Sequence, residues 1–285
     1  MNRKIPAPAP GIYYDIPAPI YHSWDAISST LLKNYASNPS SALALFTPSD
    51  DVNVGSGIHA YSLQGYVGLY NECAIMPVEC EGVSKAAKEA REVFSAMNPG
   101  KALLPPRYGG TAENKLPMME ILQRVDIALK SHPKVAEILD GAQFEVSLVW
   151  VDVQSGCVCK ARLDILAKNN IIYDLKKTKK IGGLKWDLDG GFNYRLQAAH
   201  YLNGAEACGL DPVAFGFIPC EAFSPFNVKV IYSDPDKTAL AQERVVRLIG
   251  LVKESKEEDY WPNIQPPVGL ESWENLAPDD LVEVW

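Results

Sequence analysis

An α/β fold is what this 285-residue sequence predicts, on three observations. Two β-prone runs, Cys157 to Leu166 and Ile171 to Lys176, meet at Lys168-Asn169-Asn170, where asparagines tolerate the left-handed backbone of a tight loop. Helical patterns stand on both sides of that hairpin, at Ser84 to Met97 and Asn114 to Ser131 before it and at 193 to 207 and Pro235 to Glu257 after it. Further strands are expected at Phe144 to Trp150, Ala214 to Pro219 and Phe226 to Tyr232.

From the N-terminus, residues 1–26 carry Pro6, Pro8, Pro10, Pro17 and Pro19 among tyrosines and read as an extended arm, not a core element. Ser28, Ser29 or Thr30 caps a helix through Leu31, Leu32 and Tyr35 that stops before Pro39. A second helix begins around Gly55 and carries His59, which on its own reads as a hydrogen-bonded core residue. Pro99-Gly100 and Pro105-Pro106 separate the helices that follow, with Arg107, Tyr108 and Lys115 as exposed loop residues.

In the first strand of the hairpin a period of two puts Lys160, Arg162 and Asp164 on one face and Cys159, Ala161, Leu163 and Ile165 on the other. The second strand points Ile172, Asp174 and Lys176 one way and Tyr173 and Leu175 the other, and the short loop sets Asp164 opposite Asp174. Alternation upstream brings Glu145 to a sheet face. Beyond the hairpin, Lys180 to Gly191 is a glycine-rich loop, and Tyr194, Gln197 and Tyr201 share one face of the next helix. After Trp261 the chain reads as a surface strap or a subunit contact.

Two facing carboxylates repel, which leaves three explanations for Asp164 and Asp174: an unfavourable accident, an ion cluster with Lys176, or ligands of a hard cation. Oxygen ligands suit magnesium or manganese. In a hydrolytic reading the metal activates a water and neutralises charge on a scissile phosphate. Lys176 is then placed to orient that water or stabilise the developing charge, and Leu175 can add its backbone carbonyl as a ligand.

Bulk composition fits one large globular domain or two small ones: 47% of the residues are hydrophobic and 22% charged. No apolar run approaches membrane-spanning length, and the start lacks the apolar core of a secretion signal, so no membrane is expected and the cytoplasm is the expected location. Six scattered cysteines read as reduced core thiols. A net charge of −8 argues against general nucleic-acid binding, yet basic residues gather between Lys160 and Lys185 and read either as a solvated loop or as a phosphate-tracking patch.

The ordered series Glu145, Asp164, Asp174-Leu175-Lys176 and Gln197-Ala198-Ala199-His200-Tyr201 resembles the PD-(D/E)xK nuclease superfamily in its RecB-like branch. Pro10-Gly11-Ile12-Tyr13, Tyr21-His22, Ile27 to Leu32, Gly55-Ser56-Gly57-Ile58-His59 and Trp261-Pro262 are similar to the exonuclease VIII (RecE-like) nuclease domain of phages and prophages.

That resemblance implies a mixed central β-sheet flanked by helices, a restriction-endonuclease-like core, over residues 27–265, with 1–26 as an arm and 266–285 as a tail. It implies Lys176, Asp164, Asp174 and Glu145 as catalytic residues and His59, Asp164, Asp174 and Leu175 as holders of Mg2+ or Mn2+. Gln197, Tyr201, Arg162, Arg195, Lys177 and Lys179 become the expected DNA contacts. The implied activity is digestion of linear duplex DNA from 5′ ends, by a ring-shaped homo-oligomer, leaving 3′ tails for a RecT-like single-strand annealing protein. A RecB-like nuclease of other polarity, an endonuclease, and an inactive nuclease fold that binds DNA or a partner are the alternatives. One departure stands out: Lys177 intervenes between Lys176 and Thr178, where the family goes directly to Thr.

Overall fold

The computed structural model describes residues 4–43, 48–109, 114–181 and 193–262. Most of the expected glycine-rich loop (182–191) and the whole 266–285 tail lie outside the described residues.

The chain opens with β1 (Ile5–Pro6), β2 (Gly11–Tyr13), α1 (Ala18–Ser23) and β3 (Trp24–Asp25). This segment is not a free arm. β1 pairs with β3, and β2 pairs antiparallel with a long strand of the main sheet, while Tyr21 and Trp24 are buried with Val149. The prolines are compatible with this because an edge strand and short ribbons need few backbone donors.

Helix α2 (Ser29–Ser37) starts at Ser28, whose hydroxyl accepts from the Leu31 amide at 3.4 Å, and it ends before Pro39. Helix α3 (Asp50–Glu72) begins five residues before the expected glycine. Ser49 caps it and Asp50 and Asp51 fill its first turn, where negative charge meets the positive end of the helix dipole. At Gly65 the backbone leaves the helix (φ 67°, ψ −155°), so the last two turns take a new direction.

β4 (Cys73–Ile75), α4 (Lys85–Met97), β5 (Ala102–Leu104), β6 (Arg107–Tyr108), β7 (Leu116–Pro117), α5 (Met118–Ser131) and α6 (Pro133–Leu139) follow. Then come β8 (Gln143–Val151), β9 (Val158–Leu166), β10 (Ile171–Thr178), α7 (Tyr194–Ala207), β11 (Ala214–Glu221), β12 (Ile231–Tyr232) and α8 (Pro235–Glu257). The expected strand from Phe226 is shorter than its pattern suggested: only Ile231 and Tyr232 pair as a strand, with Val228 bridging Cys220.

The main sheet runs β12-β11-β10-β9-β8-β2. β10 and β11 are parallel and every other pair is antiparallel, so the sheet is mixed. A parallel neighbour requires a crossover, which is the job of α7. Helices cover both faces. Leu32, Leu196, Val245 and Ile249 from α2, α7 and α8 join Leu148, Phe215 and Phe217 in one core, and Ile58, Leu122 and Ile138 from α3, α5 and α6 join Tyr173, Leu175 and Ile218 in the other. Among the described residues no helix is long and apolar enough to cross a membrane, and all six cysteines are free thiols.

One sheet expectation fails in a way that bears on function. Val146 pairs with Leu163 and both belong to the first core, but Phe144 pairs with Ile165 and both pack in the second. An unbroken period of two would keep all four on one face. Between Phe144 and Val146 stands Glu145 in the left-handed region (φ 53°), and there the strand pair exchanges faces. Ile165 therefore does not share a core with Cys159, Ala161 and Leu163.

Candidate metal centre

Asp164 is the middle of the site. The β8–β9 register, Phe144 against Ile165 and Val146 against Leu163, sets Glu145 opposite Asp164. The β9–β10 register, Ile172 against Leu166 and Tyr173 against Ile165, carries on to set Asp174 opposite Asp164, as the hairpin predicted. Asn170 at φ 58° closes the turn between those strands. Three carboxylates thus sit in a row across three neighbouring strands.

His59 arrives from the second layer. Gly57 allows α3 to lie close against Leu104 of β5, since a side chain there would begin 2.7 Å from a Leu104 methyl. Two residues later His59 Nδ1 is 3.4 Å from Asp164 Oδ2. One ligand atom each from His59, Glu145 and Asp164 fall within 4.8 Å of one another.

The electrostatics of this cluster call for a cation. Burial, then the charge of Asp174, drives the Asp164 carboxyl well above its ordinary range. Burial, then Asp164, raises Glu145 to about 7. Burial lowers His59 and favours the neutral imidazole that binds metals. An imidazole nitrogen beside two crowded carboxylates is a donor set that fits a divalent cation. Leu175 contributes through its backbone: its amide donates to Asp164 Oδ2 at 2.8 Å, and its carbonyl accepts from His59.

Asp174 stands at the Lys176 end of the row. It is 1% exposed, Gln197 Nε2 donates to its Oδ1 at 2.6 Å, and the Lys176 ammonium lies against Oδ2. A buried carboxylate is unfavourable without partners, and here Oδ1 accepts from Gln197 while Oδ2 faces the Lys176 ammonium as an ion pair. Lys176 itself is opposed by burial, but Asp174 and Asp164 outweigh this and keep it charged.

Residues 49–265 match the family described as PDDEXK-like domain of unknown function (DUF3799). The chain belongs to this PDDEXK-like family. Among curated proteins nothing matches. Among solved structures the chain is similar to a candidate exonuclease from Eubacterium rectale, at 13% identity over 86% of this chain and 91% of that one with a TM-score of 0.54, a likeness of fold. SSO0001 also overlaps, at 13% identity over 85% and 96% of the two chains, with a TM-score of 0.28 that carries no argument.

Within the PDDEXK-like core, most of the expected DNA contacts turn inward. Arg162 is 10% exposed and grips Glu145 through Nε, Glu72 Oε1 at 3.2 Å and the Ile16 carbonyl at 2.7 Å. Lys177 is 8% exposed and donates to Asp51 Oδ1 at 3.0 Å and to the Tyr108 hydroxyl at 2.7 Å, so Tyr108 is a buried anchor and not a loop residue. Lys160 is buried against the carbonyls of Tyr21 and Trp24 at 2.9 and 2.7 Å. Arg195 is buried, and Tyr201 packs in the first core beside Phe215. Gln197 orders Asp174. Of the six expected contacts only Lys179 keeps a largely solvent-exposed ammonium, beside Asp51 Oδ2 at 3.0 Å. In each other case a long cationic or polar side chain inside a packed layer is held by its nearest acceptor or packed away from solvent.

Sequence reasoning missed Glu72, the second carboxylate on Arg162, and Lys33, which donates to Gln197 Oε1 at 3.2 Å. Neither carries a local signal, because each meets its partner across a long stretch of chain.

Proposed function

We propose that this chain is a metal-dependent exodeoxyribonuclease that digests linear double-stranded DNA from 5′ ends and leaves 3′ single-stranded tails. The row of Glu145, Asp164 and Asp174 across three strands, with His59 and Lys176 at its two sides, is the observation that carries this reading. A bound Mg2+ or Mn2+ would supply an activated water and neutralise charge on the scissile phosphate. Asp164, Glu145 and His59 would hold it, with the Leu175 backbone and Asp174 beside them. Lys176 stands ready to stabilise negative charge developing on the phosphate. Arg162 keeps Glu145 in place. Membership of the PDDEXK-like family supports the nuclease class; direction, processive action as a ring-shaped homo-oligomer, and hand-over of the tail to a RecT-like annealing protein in the cytoplasm come from the resemblance of the motifs.

The test is digestion of linear duplex labelled at its 5′ or 3′ end, with Mg2+ or EDTA, alongside an intact circular plasmid. Early metal-dependent release of the 5′ label, with the circle untouched, is expected. Release of the 3′ label first would reverse the direction, cleavage of the circle would make the enzyme an endonuclease, and survival of every substrate would sink the nuclease reading.

A further inference from the structure

Helix α2 lies before the span that matches the family, residues 49–265, yet it reaches the site through Lys33. The ammonium donates to Gln197 Oε1 at 3.2 Å, across 164 positions of sequence, and stands 5.8 Å from the centre of the Tyr194 ring. Lys176 stands 5.2 Å from the centre of that same ring. Among the described residues no carboxylate is within ion-pair distance of Lys33, so its partners are an amide oxygen and an aromatic face.

An ammonium has donors and no acceptor, so the Gln197 amide must turn its oxygen toward Lys33. Its NH2 then points the other way, into Asp174 Oδ1 at 2.6 Å. Without the ammonium the oxygen of Gln197, a residue only 4% exposed, loses its donor, and the amide is held from the Asp174 side alone. Asp174 is 1% exposed and has little access to water as a substitute donor. Its other oxygen meets Lys176, so the position of Asp174 sets the position of that lysine.

We infer that Lys33 is a positioning residue of this centre: it fixes the orientation of the Gln197 amide, through which Gln197 holds Asp174 and Asp174 holds Lys176. It touches neither substrate nor reacting atoms. Its effect on turnover rests on the nuclease reading, whereas its effect on Gln197 does not.

The experiment compares full-length wild type, Lys33→Met, Lys33→Arg, Gln197→Met and the Lys33→Met/Gln197→Met double variant, in steady-state digestion of duplex ends and in urea unfolding. Lys33→Met is expected to lower kcat at least tenfold while KM for DNA ends stays within twofold. Lys33→Arg, still a pure donor, is expected to recover kcat to within threefold of wild type. If Lys33 acts through Gln197, the double variant is no worse than Gln197→Met in either assay. A raised KM with kcat kept would make Lys33 a direct DNA contact and overturn the inference. Additive losses, or an unaltered Lys33→Met, would overturn it as well. Should wild type digest no DNA, the nuclease reading falls, and the unfolding cycle alone decides: coupling upholds Lys33 as the holder of Gln197, additivity removes it. If Lys33→Met does not fold, Lys33→Gln takes its place in the cycle, with the same two outcomes.

Discussion

At the scale of single residues, the site is a balance between carboxylates and the cations near them. Asp174 has Lys176 and Gln197, Glu145 has Arg162, and Asp164 has a backbone amide, His59 and two like-charged neighbours. Lys176→Met is expected to lower turnover by on the order of 10²–10³-fold, as loss of one group that stabilises developing charge does. It also leaves one Asp174 oxygen buried without its cation, so urea unfolding should show a loss of roughly 3 kcal/mol or more.

Glu145 makes the same balance depend on pH. Its carboxyl is raised to about 7 in the fold against 4.5 ordinarily, by burial and then by Asp164. The folded state therefore holds this proton more tightly than the unfolded one. Without added metal its contribution to stability is fully present below about 4.5 and is lost as pH rises through about 7. A divalent cation selects the anion and works in the opposite direction. Metal affinity should then weaken by up to about tenfold for each pH unit below 7, with proton release on binding, both readable by titration calorimetry in buffers of different ionisation enthalpy.

At the scale of elements, α3 is the arm that delivers His59, and two devices set its pose. At its start, Asp51 meets Lys177 and Tyr108, which joins the first turn of the helix to the end of β10. Lys177→Ala is expected to destabilise the fold by about 1–3 kcal/mol, because it removes a largely buried ammonium that bonds to the half-exposed Asp51 and to Tyr108, and to leave the salt dependence of DNA binding as it was. Lys179→Ala, by contrast, should lower the salt slope and spare stability. Measuring both quantities for both variants separates anchor from phosphate contact. Further along, Gly65 holds a conformation that a side chain strains, with open space around it, so the strain is in the backbone and not in crowding. Gly65→Ala is expected to cost about 1–3 kcal/mol in urea unfolding and to misplace Glu72, loosening Arg162.

At the scale of the whole molecule, the N-terminal segment is part of the sheet and of the site. β2 extends the edge beside β8, and the Ile16, Tyr21 and Trp24 carbonyls satisfy Arg162 and Lys160. Deleting residues 1–26 would strip an edge strand and leave two inward-facing cations short of acceptors. The expected result is a protein that unfolds at markedly lower urea and binds divalent metal weakly; an unaltered urea midpoint would return the segment to the status of a loose arm.

Local pattern by itself determined the hairpin from Cys157 to Lys176, the pairing of Asp164 with Asp174, the helix from Pro235 to Glu257 and a helix cap among Ser28, Ser29 and Thr30. Each depends on neighbours within a few residues, through a period of two, a tight loop or a capping hydroxyl, and such signals survive in one dimension. The ordered motif series also carried the family. Tertiary structure alone decided the rest. Glu145 inverts the strand from the left-handed region, and its carboxylate shares a site with residues from β9 and α3, neither of which an alternation rule contains. Arg162, Lys160 and Lys177 read as a basic patch in sequence, yet the fold brings each to a carboxylate or carbonyl from 17 to 146 positions away. A cation's charge is written in its own letter. Whether it faces phosphate or a buried acceptor depends on which distant atoms the fold brings beside it.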